Sequence, residues 1–341
     1  MNNKSYTSIF LILTLALIVC ILANLSLGSV GIPIKEVIAS LTGGHVSKPS
    51  WEYIIVDYRL PKAITAIIAG SGLAVSGLLM QTLFRNPLAG PFVLGISSGA
   101  SLGVALYILG GTALGLSTVF ISGKWGLIIA ASAGSFLVLL MVIGVSTRVK
   151  DTMALLIIGL MVGSLTSAVV SVLAYFSKAE ELQRFVFWSF GSLGDLSWNG
   201  VGILALCFTI GISLAIGSLK SLDSFLLGDA YAKTMGTRFS RARFLVIIAT
   251  SLLAGSITAF AGPIAFIGLA VPHLIRQVIN TTRHIILLPA VIMGGAILML
   301  ICDTIAQVPY SEFTLPINAI SAMVGAPVVI WLLVRTKKLL F

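Results

Sequence analysis

Long apolar runs, interrupted only by short polar connections, constrain this chain more than any other feature. About 20 consecutive apolar residues cross a bilayer as one helix, because only a helix or closed barrel satisfies its own backbone groups away from water. The runs fall at 9–23, 61–83, 92–110, 125–145, 152–176, 199–219, 243–260, 263–279, 285–306 and 316–334, with a break expected at Gly262-Pro263. An outer-membrane barrel would show short alternating strands instead, and a single-span receptor would carry a long polar domain. Of the 341 residues, 58% are hydrophobic and 9% are charged. A soluble domain carries about a quarter charged residues, so too few are present to cover a soluble globule. The expected fold is an all-α polytopic membrane protein of about ten transmembrane helices, a single transmembrane domain over residues 1–341.

Charge placement orients the spans. With the N-terminus inside, Lys4, Arg85, Arg148, Lys150, Lys220, Lys233, Arg238, Arg241, Arg243, Arg276, Arg283, Arg335, Lys337 and Lys338 are cytoplasmic, 14 of the 21 basic residues. That bias follows the positive-inside rule and puts both termini in the cytoplasm. The net charge of +10 is spread along the chain, which fits membrane topology and not a nucleic-acid partner. The run from Ile9 to Ala23 follows Lys4 as a signal peptide would, but no A-x-A site follows, so an uncleaved first span is expected. Residues 67–77 (IIAGSGLAVSG) resemble 247–257 (IIATSLLAGSI), and Ala89-Gly90-Pro91 precedes Gly95 as Ala261-Gly262-Pro263 precedes Gly268. In the expected topology this repeat is inverted, a transporter architecture.

Few residues carry chemistry. Gly123-Lys124 has Thr118 where a phosphate loop needs glycine and Trp125 where it needs Ser or Thr, so nucleotide-driven work requires another chain. His45, His273 and His284 are scattered, with no metal-ligand spacing. Cys20, Cys207 and Cys302 form no paired motif and read as packing residues. Gradient-driven carriers hold ionisable residues deep in the bilayer; here only Asp303 qualifies, and it is expected to pack against polar neighbours. Gly159, Gly163, Ser167 and Ser171 recur every four residues. Such a row serves either packing within the chain or a pathway at a dimer interface. Ser146-Thr147-Arg148 precedes it as a short polar connection suited to a gate. Between spans six and seven, Leu226, Leu227, Ala230, Tyr231 and Met235 share one face of a short helix ended by Gly236. That helix either lies on lipid or docks on a soluble partner.

The stretch RLPKAITAIIAGSGLAVSGLLMQTLFRNPLAGPFVLGISSGASLG (59–103) resembles the signature of FecCD-type permeases, the membrane subunits of type II ABC importers for iron chelates, haem and cobalamin. YFSKAEELQRFVFWSFGSLGDLSW (175–198), LLGDAYAKTMG (226–236), GPIAFIGLAVPHLIR (262–276) and LPINAISAMVGAPVVIWLL (315–333) extend the resemblance over nearly the whole chain. It implies the ABC type II importer permease fold, a homodimer of permeases, two cytoplasmic ATPases and an extracytoplasmic substrate-binding protein. Its coupling helix corresponds to 223–237, with Asp223, Leu226, Leu227, Gly228, Asp229, Ala230, Tyr231, Met235 and Gly236 as contacts. Arg59 and Lys62 match the family's outer basic motif, which meets acidic residues of the binding protein, and Glu312 joins them as a docking residue.

Two departures bear on docking. CDTIAQ, ending in Gln307, stands where ADxxAR is common, and Thr314-Leu315-Pro316 stands where E-L-P is common. The implied mechanism is ATP-driven import by alternating access across a bacterial cytoplasmic membrane. Ser146 and Thr147 gate a pathway that Gly159, Gly163, Ser167 and Ser171 help to line. No cofactor is bound by this chain, and ATP and Mg belong to the partner ATPase. The competing reading is a gradient-driven secondary transporter built on the same repeat.

Overall fold

A computed structural model describes residues 3–111, 124–149, 152–226 and 239–335, and every regular element among them is helical. Helix α1 (Asn3–Ser26) is followed by a short α2 (Ile34–Thr42) and by α3 (Pro49–Tyr53). A π-helical turn, Ile54–Arg59, carries α3 directly into α4 (Leu60–Phe84). A 3-10 turn at Pro91–Leu94 then leads into α5 (Ile96–Ile108). The remaining helices are α6 (Lys124–Arg148), α7 (Thr152–Phe176), α8 (Ala179–Ser189), α9 (Trp198–Leu226), α10 (Phe239–Ala261), α11 (Ile267–Ile279), α12 (His284–Ala306) and α13 (Ile317–Arg335).

Every expected span is a helix in its expected place. Seven described helices are long and apolar enough to cross a membrane: α1, the continuous α3–α4 rod, α6, α7, α9, α10 and α12. Helices α5 and α11 have 13 residues each, a rise of about 20 Å against about 30 Å of hydrocarbon. Residues 49–60 extend α4 backward as one helical rod.

The chain divides into two compact units, one of Met1–Val75, Ser192–Leu206 and Ile264–Leu340 and the other of Ser76–Gly191 and Cys207–Pro263. In the first, α12 packs against α1, α11 and α13, burying Leu287, Val291, Ala296, Met299 and Leu300. Gly70 of α4 meets Gly295 of α12 so closely that a Cβ on either would overlap the other's carbonyl oxygen. In the second unit, α5 packs on α6 and α7, and α10 packs on α6. Gly99 and Gly134 make the equivalent close approach there, and Gly103 meets Ala130. Small residues let helix backbones touch where lipid offers no hydrophobic gain from burying larger ones.

The repeat seen in the sequence has a structural counterpart. Helices α5 and α11 have equal length, each follows a Gly-Pro pair, and each packs on the next two long helices of its own unit. The backbone role of Gly95 (φ +73°) is taken in the second copy by Phe266 (φ +66°) and not by Gly268, which lies inside α11. A left-handed Phe is an outlier that its surroundings must hold. Asn318 Oδ1 accepts the Ala265 N–H at 3.0 Å, and Gly325 leaves room for the Phe266 side chain.

Gly70→Leu should destabilise the protein by about 3 kcal/mol or prevent its folding, because the carbonyl of Gly295 cannot give way cheaply. Gly202→Ala, where an added Cβ meets nothing within 4 Å, should leave the midpoint of thermal unfolding in detergent almost unchanged. Equal effects of the two changes would contradict the close packing.

Candidate functional site

Helix C-termini leave carbonyls without intrahelical donors, and at the end of α1 they are met by an arginine. Arg59, the last residue of the π turn, is 7% exposed. Its Nη1 donates to the carbonyls of Leu25 (2.7 Å) and Ser26 (2.9 Å), and its Nη2 donates to that of Val30. Gly28 makes this possible, since a Cβ there would lie 2.6 Å from Nη2. In this structure the Arg59 guanidinium is enclosed, and its donors hold the end of α1.

Beside it lies a buried carboxylate. Asp303 of α12, 2% exposed, takes Lys62 Nζ on Oδ1 at 3.1 Å. Its Oδ2 accepts from Asn24 Nδ2 at 2.9 Å and from Gln307 Nε2 at 2.8 Å. The packing expected of Asp303 is thus found, with partners from α1, α4 and its own helix. Gln307, the departure noted in the sequence, faces this carboxylate. Glu312 is exposed in the connection between α12 and α13, where Tyr310 and Phe313 are 76% and 79% exposed.

The row on α7 divides. Gly159 is buried and Gly163 half-buried; Gly95 approaches the Gly159 carbonyl, and Gly163 sits near Ser98 Oγ of α5. Ser167 and Ser171 are exposed, with Ser171 Oγ donating to the Ser167 carbonyl at 2.9 Å. Only the first half of the row packs within the chain. Ser146 is half-buried, and Thr147 follows it in the last turn of α6. Asp223 and Leu226 are half-buried at the end of α9. Leu227, Gly228, Asp229, Ala230, Tyr231, Met235 and Gly236 lie outside the described residues.

Two arginines that the sequence reading treated only as topological charges bond to neighbouring helix ends. Arg85 Nε donates to the Phe225 carbonyl at 2.8 Å. Arg243, 5% exposed, donates to the carbonyls of Ser146 and Val149, the latter at 2.9 Å. A basic residue abutting an apolar run was the available signal, but its carbonyl partners are remote in sequence.

Outside the spans, Glu36 of α2 accepts the Ser47 N–H at 2.9 Å and its hydroxyl at 2.7 Å. The Ser47 N–H, then its hydroxyl, hold this carboxyl below the usual glutamate range. The clamp should open as pH falls through that lowered value and be complete above the ordinary one.

Replacing Asp303 with leucine strands three donors, one of them charged, and should lower stability by about 3 kcal/mol. Lys62→Met leaves Asp303 with two amide donors, and the one-fifth exposure of Lys62 makes the pair weaker than a fully buried one, so its loss should be smaller. Thermal unfolding of the purified variants ranks the two, and the reverse order would contradict this network.

Comparison with known proteins agrees with this geometry along the whole chain. The model of the FecCD transport family matches residues 16–335. The hemin transport system permease protein HmuU of Yersinia pestis is 32% identical over 99% of each chain. The vitamin B12 import system permease protein BtuC of Klebsiella pneumoniae is 34% identical over 95% of this chain and 93% of its own. A solved structure described as an inward-facing conformation of a metal-chelate type ABC transporter superposes with a TM-score of 0.85 at 30% identity, covering 97% of this chain and 100% of that one. With its helices in this order and its likeness running end to end, the chain belongs to the FecCD transport family and has the permease fold of type II ABC importers.

Proposed function

We propose that this chain is the membrane-spanning permease of an ATP-driven, binding-protein-dependent importer, and that two copies form the pathway by alternating access. The end-to-end likeness to permease proteins and to a metal-chelate ABC transporter carries this reading. The cargo class is a large, rigid chelate: a ferric siderophore, haem or cobalamin. The exposed Ser167 and Ser171 of α7 suit a wall that contacts such cargo weakly. Weak contacts matter because a pathway that bound its cargo tightly would slow release.

The chain has no phosphate loop, so ATP and its Mg are used by two cytoplasmic ATPase subunits that dock on residues 223–237. The binding protein docks on the opposite face. There Arg59, Lys62 and Glu312 are the docking residues, and the exposed Tyr310 and Phe313 flank Glu312. The positive-inside bias supports a bacterial cytoplasmic membrane with both termini inside. Asp303, bonded to Lys62, Asn24 and Gln307, is engaged in structure and not poised as an ion relay.

Purification of a tagged copy in mild detergent tests the assembly. Co-purification of a soluble ATPase chain at equal stoichiometry, with ATP hydrolysis, is the expected result. A well-folded preparation that carries no ATPase under several mild conditions would overturn it. Gly236→Arg should abolish that association, and intact assembly with ATP-dependent uptake would remove the coupling role from 223–237.

A further inference from the structure

The stretch between α9 and α10 enters and leaves the described structure beside an arginine bond on each side. On the entering side, Arg85 holds the Phe225 carbonyl, one residue before α9 ends. On the leaving side, Arg243 sits in the second turn of α10 and reaches the end of α6. Val145 O is already taken by the Val149 N–H at 2.9 Å, and the Ser146 carbonyl, in the last helical turn, is met by Arg243. The same guanidinium group takes the Val149 carbonyl just beyond that turn. One rigid, planar group therefore spans the junction between α6 and its connection to α7. Its charge also complements the negative end of the α6 dipole. At 5% exposure, water cannot replace these bonds cheaply, so the two elements must move together or break them.

We propose that Arg243 is a positioning residue that ties the first turns of α10 to the α6–α7 connection, so that a displacement at the ATPase-docking stretch is delivered to Ser146 and Thr147. This rests on the importer function proposed above. The tie acts on the gate backbone and not on its side chains, so it does not depend on which residues occupy the gate. Both bonds leave Nη2; lysine at this position keeps the charge, but its strongly hydrated ammonium on a flexible stem is not pre-organised for the same two carbonyls.

The test uses the full complex with its partner ATPase in lipid, with Cys20, Cys207 and Cys302 replaced and a nitroxide attached through Arg148→Cys, an exposed position at the end of α6. Pulsed-resonance distances between the two copies are read without nucleotide and with Mg-ATP plus vanadate. In the otherwise native protein the distance should shift with nucleotide. Arg243→Gln should keep ATP hydrolysis within about twofold while the population of shifted label pairs falls about tenfold, with Arg243→Lys intermediate. An unchanged shift in Arg243→Gln would overturn the tie while leaving the importer intact. Failure of the ATPase to assemble with the native chain would overturn the importer function itself. If Arg243→Gln does not assemble, Arg243→Lys decides: a reduced shift at full hydrolysis supports the tie, and an undiminished one overturns it.

Discussion

Where a helix ends near hydrocarbon, its last carbonyls have no water to turn to. In this chain the described structure answers that need three times with arginine. Arg59 holds the end of α1, Arg85 holds the Phe225 carbonyl near the end of α9, and Arg243 holds the end of α6. Each bond joins segments far apart in sequence but within one compact unit. A guanidinium group suits the task because it offers five donors on a plane, remains charged, and is less strongly hydrated than an ammonium. A protein with 9% charged residues places Arg59 and Arg243 where removal would strand more than one carbonyl at once.

Glycine supplies the complementary constraint. The contacts of Gly70 with Gly295, and of Gly99 with Gly134, bring helix backbones together in the two units. Dispersion over a close backbone crossing substitutes for the hydrophobic gain that lipid cannot provide. Arginine-fixed ends and glycine-fixed crossings together make each helix pair a stiff piece. In the importer proposed above, such stiff pieces suit alternating access, since a soft bundle would absorb a displacement made at one end before it reached the other.

The spans were legible because burial in lipid demands unbroken apolar runs, and the break before α11 was marked by Gly262-Pro263, whereas the shortness of α5 was not marked. Asp303 was legible as a carboxylate needing polar neighbours, although Asn24 and Lys62 could not be named from spacing. The enclosure of Arg59 was not legible. A basic residue in a motif at the head of a span looks like a surface charge, and only the fold shows that the carbonyls of Leu25, Ser26 and Val30 enclose it. Matching glycine to glycine likewise pointed to Gly268, whereas the left-handed turn is made by Phe266 under tertiary restraint. On α7 a regular period concealed two environments, because a four-residue spacing records a shared face and not what covers it.

Uptake into liposomes separates an ATP-driven permease from a gradient-driven carrier most directly. The chain would be reconstituted with its partner ATPase and binding protein, supplied with a labelled ferric siderophore, haem or cobalamin, and assayed with ionophores that collapse every ion gradient. Uptake that requires ATP on the ATPase side and continues with all gradients abolished is the expected result. Uptake that follows an imposed ion gradient and proceeds without ATP would contradict it.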